Sequence, residues 1–434
     1  MQVTRRRFLQ AAGAAAVPLM AAGCGFVPQS SGSEADADTL TFTTWGTDAE
    51  LAGFRSAIAG FEQAYPGRHV ALNSVPYEQM FTNIDAQLQA GNPPDVFRVP
   101  YYSFGAYAAR GQLLDLSRSL NAGVGDRFTA TAWAAVQAQG RPFGVPHHTD
   151  TSALLVNTEM LRKAGITTVP RTAAEAWTWD DLADVAGKLR RALPADRYPF
   201  AYNWQGNGVT RWLSLLFQAD GAFLGADQRT PAIDSAAGRD AVAFAQRFFT
   251  ERWVPANDSI KSSTYAVDSW YSGTVAMVWS GAFQIPDAAK TLDFDWTAAV
   301  APRHARGGGD FGGNALVATA QTSKPDLAAS FLDFITRKDQ MQDFCSRASL
   351  LPTRRDLAGG GLRFAVRPEL TATFVGQAGV IQPEDVAQVA SPDMAKIITV
   401  LKDGLEDAFV GGRSPDATVR ALAEGIAAAT GASA

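Results

Sequence analysis

The densest group of residues with possible catalytic or metal-binding chemistry is His147-His148-Thr149-Asp150. In an extended segment alternate side chains share a face, so His148 and Asp150 would point together and His147 away from them. Two ligands are fewer than the four of a structural zinc site or the three of a catalytic one. His69 and His304 have no spacing that would complete a set. We therefore predict no metal here, and interpret the segment as a contact with a bound molecule or as packing.

Three further patterns that suggest chemistry have structural explanations. Asp180 and Asp181 follow Thr178 at the spacing of a capping box, in which side chains bond the free amides of the first helical turn. The glycine-rich stretch 307–313 lacks the Gly-Lys-Ser/Thr of a phosphate-binding loop, and no Gly-x-Ser-x-Gly elbow of an α/β-hydrolase occurs. Cys345 lies in an apolar, helix-like run, which favours a buried thiol over a nucleophile.

The N-terminus decides the predicted compartment. Three arginines in residues 4–9 precede an apolar stretch, 11–22, that is too short to span a bilayer. The order Thr-Arg-Arg-x-Phe-Leu resembles a twin-arginine export signal, with Gln10 in place of the usual lysine. Residues 21–24, Ala-Ala-Gly-Cys, resemble a bacterial lipobox in which Cys24 would be lipidated. The alternative is an ordinary signal peptide with an incidental cysteine.

Composition narrows the function classes. Removal of residues 1–23 would take away three arginines and no acidic residue, so the formal net charge would change from −5 to −8. An acidic chain argues against a nucleic-acid partner. With 47% hydrophobic residues and 434 residues in all, two globular lobes are expected. Residues 29–38 are polar and small, which is typical of a flexible tether.

The polar and apolar patterns along the chain predict alternating strands and helices. Residues 39–45, 69–75 and 95–99 are rich in strand-forming types, whereas 51–61 and 77–88 have apolar side chains at helical spacing. Alternation of this kind indicates layered α/β structure with parallel strands.

Several blocks, in order along nearly the whole chain, resemble one protein family. They comprise residues 61–67, 91–96, 104–116 and 144–182, with weaker similarity at 271–277, 311–314 and 328–353. Together they resemble the extracellular solute-binding proteins of carbohydrate ABC importers, which include the maltose-binding type. The resemblance implies a two-lobed α/β fold of the periplasmic-binding-protein class, type II, with a ligand cleft between the lobes.

The resemblance also implies a domain organisation. The chain would cross between lobes three times, near residues 147–151, 296–302 and 350–355. The predicted segments are an export signal, a lipid-anchored tether, lobe 1 and lobe 2: 1–23; 24–38; 39–149 plus 300–352; 150–299 plus 353–434.

What the resemblance implies about function is capture of a sugar by hinge closure and its delivery to the permease of an ABC importer. The protein would be a monomer, held by its lipid on the outer face of the bacterial cytoplasmic membrane, without a cofactor, enzymatic activity or nucleic-acid partner. Closure requires a ligand that touches both lobes, since a ligand with equal affinity for the open and closed forms does not shift the equilibrium between them.

A sugar requires flat apolar rings for its C–H faces and polar groups for its hydroxyls. Tryptophans in polar, glycine-containing segments are candidates for stacking, with some of them expected to be structural. By resemblance, positions 48, 101–103, 150, 211–212, 279–283 and 312–314 match ligand-contacting segments of the family. The predicted ligand residues are Asp48, Tyr77, Tyr101, Tyr102, Ser103, His148, Asp150, Trp204, Arg211, Trp212, Trp270, Trp279, Ser280, Phe283, Gly312, Gly313, Asn314 and Arg354.

Two alternatives remain open at this stage. A secreted glycoside hydrolase also needs aromatic rings and two carboxylates. The same fold with a glycerophosphodiester ligand would need a cation in the cleft, for which Arg211, Arg303 or Arg354 could serve, whereas an amino sugar would favour Asp48 and Asp150.

Overall fold

The computed structural model describes residues 37–262 and 264–432. Cys24 and the predicted export signal lie outside the described residues. The strands are β1 Thr39–Thr44, β2 His69–Ser74, β3 Val96–Pro100, β4 Gln137–Ala138, β5 Arg141–Pro142, β6 Val145–Asp150, β7 Ser152–Asn157, β8 Tyr198–Tyr202, β9 Val275–Gly281, β10 Trp296–Ala299, β11 Gly312–Ala318 and β12 Leu351–Pro352.

Helices account for most of the remaining described chain. They are α1 Asp48–Ala64, α2 Tyr77–Gln89, α3 Tyr101–Ala109, α4 Ala130–Ala134, α5 Thr158–Lys163, α6 Trp179–Ala192, α7 Val209–Gln218, α8 Ala236–Thr250, α9 Ala266–Tyr271, α10 Ile285–Thr291, α11 Pro325–Ile335, α12 Lys338–Ala348, α13 Arg355–Ala358, α14 Thr371–Ala378, α15 Pro383–Val389, α16 Met394–Phe409 and α17 Pro415–Thr430. Within the described residues, no helix combines the length and the apolarity needed to cross a bilayer.

Lobe 1 is organised by a six-stranded sheet in the order β12-β6-β11-β3-β1-β2. β1 is parallel to both β2 and β3, and β11 is antiparallel to β3 and β6. Parallel strands need crossover connections, which α1 and α2 supply. Leu40 and Phe42 of β1 are fully buried, and α1, α11 and α12 pack together on this sheet.

Helix α1 shows how local sequence sets these elements. The Thr47 hydroxyl accepts from the amide of Glu50, and the Glu50 carboxylate accepts from the amide of Thr47. This capping box satisfies amides that have no partner inside the helix. Phe54 and Phe61, at helical spacing, bury one face against lobe 1. The capping box predicted for Thr178 and Asp181 is likewise present at the start of α6 and is confirmed.

Lobe 2 is organised by a four-stranded sheet in the order β10-β7-β9-β8. β7 is antiparallel to β9 and β10, while β8 is parallel to β9. α6 and α9 pack on this sheet, and α16 and α17 pack on α8. Residues 154–156 of β7 are fully buried in the core between helices and sheet.

The chain passes between the sheets at defined points. β6 ends at Asp150 in the first sheet and β7 begins at Ser152 in the second, so the crossing takes a single residue, Thr151. The return runs from the end of β10 at Ala299 to β11 at Gly312, and the third passage follows β12. The two-lobed α/β fold class predicted from the sequence is confirmed. The predicted boundaries of the lobes stay a prediction, because α13 still contacts β12 and α12 after residue 353.

Candidate functional site

A cavity of about 410 Å³ is lined by residues from both lobes. This volume lies in the range of small-molecule sites. Of the predicted ligand residues, the cavity lining contains Tyr77, Tyr102, His148, Asp150, Arg211, Phe283, Gly312, Gly313 and Asn314. It also contains residues that the sequence analysis did not select, notably Trp45, Thr47, Glu50, Val75, Arg98, Asn203, Gln205, Gly206, Thr210, Tyr265, Gln284 and Asp310.

An aromatic wall, formed by Trp45, Tyr77 and Tyr102, belongs to lobe 1. Trp45 follows the carboxyl end of β1, and the two tyrosines open α2 and α3. The Trp45 ring packs edge-on against Tyr77, with centroids 5.2 Å apart, and the Arg98 guanidinium lies 4.4 Å from its centroid. Arg98 Nη1 also donates to the Trp45 carbonyl at 2.9 Å, so both ring and backbone are held in place before any ligand arrives.

A buried ion pair lies beneath the aromatic wall. Arg98 Nη2 donates to Glu50 Oε1 at 2.6 Å, and both side chains are at least 94% buried. Burial of two charges is tolerated only when each is well paired, and removal of one partner would leave the other uncompensated. Arg98 Nε has no hydrogen-bond partner among the described residues. The ion pair therefore fixes a cavity-lining guanidinium whose Nε is buried and has no partner among the described residues.

The two adjacent histidines belong to a hydrogen-bonded chain with Arg98 and Asn314. His148 Nε2 lies 3.0 Å from both Arg98 Nη2 and Asn314 Nδ2, which are donors, so this nitrogen accepts. His148 Nδ1 must then carry the proton and donate to His147 Nδ1, 3.0 Å away. Burial, and then the Arg98 charge, lower the pKa of both rings, which keeps them neutral.

The structure gives the two histidines of the His147–Asp150 segment different positions. No lone pair of His148 is left for a cation, and no three His, Cys, Asp or Glu side chains converge as metal ligands within the described residues. His147 stacks on Phe54 at 5.3 Å and faces the lobe 1 core. His148 instead lines the cavity and orients Asn314.

An acidic pair, Asp150 and Asp310, lines the cavity where the chain crosses between lobes. Asp310 accepts from the amide of Ser152 at 2.8 Å and from its hydroxyl at 3.1 Å. Asp150 accepts from the amide of Ala282, whereas its Oδ1 has no partner among the described residues. Burial, followed by the nearby Asp310 charge, raises the pKa of Asp150 to about 8, and burial raises that of Asp310.

Arg211 approaches the acidic pair from lobe 2. It lies in the first turn of α7, and its Nη1 donates to the carbonyls of Asn203 and Gln205 at 3.3 and 3.0 Å. Its charge lowers the pKa of both Asp150 and Asp310, against the larger effect of burial. Its Nε has no partner in the described part of the chain. Arg211 thus holds the loop after β8 and presents a free donor.

Glycines let the backbone approach the acidic pair and the histidine closely. Gly313 has φ +99°, and a Cβ there would lie 2.4 Å from the His148 carbonyl oxygen. A Cβ at Gly281 would lie 2.3 Å from Asp150 Oδ2. Because any larger residue would clash, both positions require glycine.

The mouth of the cavity carries contacts between the lobes. The hydroxyls of Tyr77 and Tyr102 bond each other, and they lie 3.4 and 3.3 Å from the Gly206 carbonyl oxygen. Each hydroxyl has one proton, so one tyrosine donates to the other and the second donates to the carbonyl. Gly206 belongs to the lobe 2 loop that Arg211 holds, and Tyr265, 42% exposed, also lines the cavity. The aromatic wall therefore reaches across to lobe 2.

The structure places the four tryptophans predicted as stacking residues in hydrophobic cores. Trp204 is 3% exposed, and Trp212, Trp270 and Trp279 are fully buried. Trp279 packs on Tyr202 with centroids 5.0 Å apart, and Trp270 packs edge-on against Trp296 at 5.6 Å. Polar sequence neighbours misled the prediction, because they do not determine the direction in which a ring points. We correct the interpretation of these four residues to a structural one.

Five further predicted ligand residues also lie away from the cavity lining. Asp48 is exposed at the start of α1, and Tyr101 is buried against Phe311, with its hydroxyl donating to the His148 carbonyl. Ser103 lies in α3 beyond the cavity, and Ser280 is fully buried beside Trp279. Arg354 Nε donates to Asp356 at 2.9 Å. Their local partners explain these positions, so they are corrected to supporting or surface roles.

The residues that the sequence analysis missed share a signal that could have identified some of them. Trp45 directly follows a strand whose carboxyl end opens a helix, and ligands in α/β folds bind beyond such ends. Glu50 and Arg98 had no such signal, because an ion pair joining α1 to β3 is visible only in three dimensions. Asp310 lies in the glycine-rich stretch 307–313, which was considered only as a possible phosphate-binding loop.

Comparison with known proteins agrees with this geometry. Residues 45–342 match the family model "Bacterial extracellular solute-binding protein". The diacetylchitobiose binding protein DasA of Streptomyces coelicolor is 23% identical over 384 residues, covering 86% of this chain and 87% of that protein. An uncharacterized lipoprotein in the oleD 5' region of Streptomyces antibioticus is 26% identical over 349 residues, covering 77% and 74%.

Among solved structures, the GacH receptor of Streptomyces glaucescens superposes with a TM-score of 0.75 at 21% identity, covering 91% of this chain and 98% of that chain. At such identity the likeness concerns the fold. The family model, in contrast, spans well over half of the sequence and the cavity-lining residues from Trp45 to Asn314. The chain therefore belongs to the bacterial extracellular solute-binding protein family, as the resemblance in its sequence predicted.

Proposed function

We propose that the protein binds a sugar, as a mono- or short oligosaccharide, in the cavity between its lobes. The observation that carries this proposal is the combination of an aromatic wall with polar groups that have no protein partner. Trp45 offers a flat face, while Arg98 Nε, Arg211 Nε, Asp150 Oδ1 and Asn314 Oδ1 can serve hydroxyls. Sugars have this division between C–H faces and hydroxyl rims.

The names of related proteins support the same ligand class. One relative is a diacetylchitobiose binding protein, and the GacH structures were solved in complex with acarbose and a homologue of it. A ligand of this class would contact both lobes of the present cavity and would favour the closed form.

We further propose that the protein delivers the sugar to the permease of an ABC importer, as the resemblance in its sequence implies. The lipid anchor at Cys24 is part of the proposal, and a relative named a lipoprotein supports it. A lipidated Cys24 would tether the binding domain to the outer face of the membrane beside its permease. Cys24→Ala should then release the protein in soluble form.

The two alternatives receive less support from the cavity. A glycerophosphodiester would bring negative charge to a lining with three carboxylates and two guanidiniums, and of the three arginines considered for it only Arg211 lines the cavity. A hydrolase would need one carboxyl group to donate a proton and a second to attack or to activate water. The Asp310 carboxylate accepts two hydrogen bonds from Ser152, which suits a structural role better than nucleophilic attack.

The test is a binding screen by thermal unfolding and calorimetry. The panel contains neutral saccharides (maltotriose, cellobiose, arabinotriose, diacetylchitobiose) and glycerophosphocholine. A true ligand at about 100 times its Kd raises the free energy of unfolding by about 2.7 kcal/mol. We expect at least one saccharide to stabilise the protein and to be recovered intact after prolonged incubation. Stabilisation by glycerophosphocholine alone, or hydrolysis of the bound saccharide, would contradict the proposal.

A further inference from the structure

The charges that line the cavity do not balance. The lining includes three carboxylates, Glu50, Asp150 and Asp310, and two guanidiniums, Arg98 and Arg211. Glu50 and Arg98 neutralise each other at 2.6 Å, and His148 is neutral. Asp150 and Asp310 therefore share Arg211 as the remaining cation of the lining, which leaves an excess of one negative charge whenever both aspartates are ionised. A buried excess charge is costly unless a proton or a ligand compensates it.

The unpartnered acceptors lie together on one face of the lobe 1 sheet. Gly312 is paired with Asp150, and Asn314 is paired with His148, on adjacent strands β11 and β6. Residues two apart on a strand share a face, so Asp150 and Asn314 face the same side. Asn314 is 8% exposed, lines the cavity and has an unpartnered Oδ1, because its amide nitrogen is directed at His148. Two buried acceptors without donors therefore belong to side chains on one sheet face that line the same cavity.

Resting on the proposed function, we infer that the cavity has a cation subsite at Asp150 and Asn314, which receives the ammonium group of an aminated sugar. An ammonium carries three donors and no acceptor, so it can satisfy both free oxygens and also cancel the excess charge. The free donors Arg98 Nε and Arg211 Nε serve hydroxyl oxygens of the same sugar. A neutral sugar can also satisfy the oxygens, but the charge is then compensated only while Asp150 keeps a proton.

The acid–base behaviour of the site is consistent with this subsite. Asp150 faces Asp310, Glu50 and Arg211, and burial with these neighbours raises its pKa to about 8. Near pH 6 the empty site therefore holds a proton on Asp150. A cationic ligand replaces that proton, whereas a neutral sugar leaves it in place. Binding of an aminated sugar should accordingly release up to about one proton.

The experiment compares disaccharides with the same β-1,4 backbone. The glucosamine disaccharide, cellobiose and diacetylchitobiose differ at the C2 substituent, which is an ammonium, a hydroxyl or an acetamide. The glucosamine disaccharide should bind more tightly than either neutral sugar, and the preference should grow from about pH 6 towards about pH 7.5, because displacement of the Asp150 proton opposes amine binding less as the pH rises. It should reach at least about tenfold, the range for hydrogen bonds to charged groups. Calorimetry in two buffers of different ionisation enthalpy measures the proton released, which we expect only for the amine.

Two substitutions test whether Asp150 is responsible for the preference for the amine. Asp150→Asn should lose the preference for the amine, and Asp196→Asn, which removes an exposed carboxylate in a turn of lobe 2, should keep it. If Asp150→Asn fails to fold, Asp310→Asn serves as a second variant. Proton release by the wild-type protein tests the subsite without any substitution. Equal or tighter binding of neutral sugars overturns the cation subsite while the proposed function stands. Failure of the whole saccharide panel, with or without amines, overturns both.

Discussion

The cavity and the lobe 2 core use the same residue types in opposite ways. In the cavity, Trp45 is partly buried beyond the end of β1, and Asp150 has a free oxygen. In the core, Trp279 lies within β9, fully buried against Tyr202, and Asp258 accepts from the Tyr202 amide at 2.8 Å. A tryptophan or an aspartate is therefore informative about ligand binding only when its place relative to the strand ends is known.

The largest effect that would test this contrast is expected for Trp279→Ala. Loss of a fully buried tryptophan removes apolar burial and leaves a cavity, which costs about 3–5 kcal/mol of unfolding free energy. Chemical denaturation measures this loss, and the fraction that remains folded should bind saccharide with nearly unchanged affinity. A stable variant with weakened affinity would place Trp279 in the site after all.

Trp45→Ala should show the reverse pattern. Its ring lines the cavity and is held by Arg98, so removal should weaken saccharide affinity about tenfold or more, as for aromatic anchors in general. Trp45→Phe keeps a ring and should retain much of the affinity. Titration by calorimetry measures both. If Trp45→Ala binds as tightly as the wild type, the aromatic wall is not a stacking surface.

The buried carboxyl group of Asp258, in the lobe 2 core, should make the stability of the protein depend on pH. Burial raises the pKa of Asp258 to about 8, so between the acidic range and pH 8 the folded protein binds more protons than the unfolded one. The free energy of unfolding contributed by Asp258 therefore falls as pH rises through this window. Asp258→Asn cannot ionise, and it should exceed the wild type in stability by about 1 kcal/mol or more near pH 9 but not near pH 4.

Denaturation at both pH values, with Asp196→Asn as the control, measures the Asp258 contribution. Saccharide should not alter this difference, because Asp258 does not line the cavity. A pH dependence that is the same in wild type and Asp258→Asn would show that Asp258 is already ionised or solvated in the folded protein.

The smallest effect is expected at Asp48. This residue is exposed at the start of α1, and its replacement by Asn keeps a good residue for the first helical turn. Stability should change by less than about 0.5 kcal/mol, as is usual for surface positions, and affinity should stay within error. A clear loss of affinity would mean that the cleft extends from the cavity to the α1 N-terminus.

Much of the architecture could be predicted from sequence, because local and periodic patterns encode it. The early strands and helices start within a residue or two of the predicted positions, apart from α1. The capping box of Thr47 and Glu50 begins that helix at Asp48, ahead of its first apolar residue Leu51. The crossing after His148 was predictable by resemblance, and the structure shortens it to Thr151. Half of the candidate ligand residues line the cavity. Many of them were chosen by their position relative to the blocks that resemble the family, which indicates where strands end.

The sequence by itself determined the alternation of strands and helices, the caps, the acidic charge and the family. Only the tertiary structure decided which aromatic rings face the cavity, because Trp45 and Trp279 are both followed by small and polar residues, Gly46-Thr47 and Ser280-Gly281. It alone joined Glu50 to Arg98, Arg98 to His148, and Asp150 to Asp310, residues that lie 48, 50 and 160 positions apart. Ion pairs and shared burial depend on distance in space, and no local pattern in the sequence records that distance.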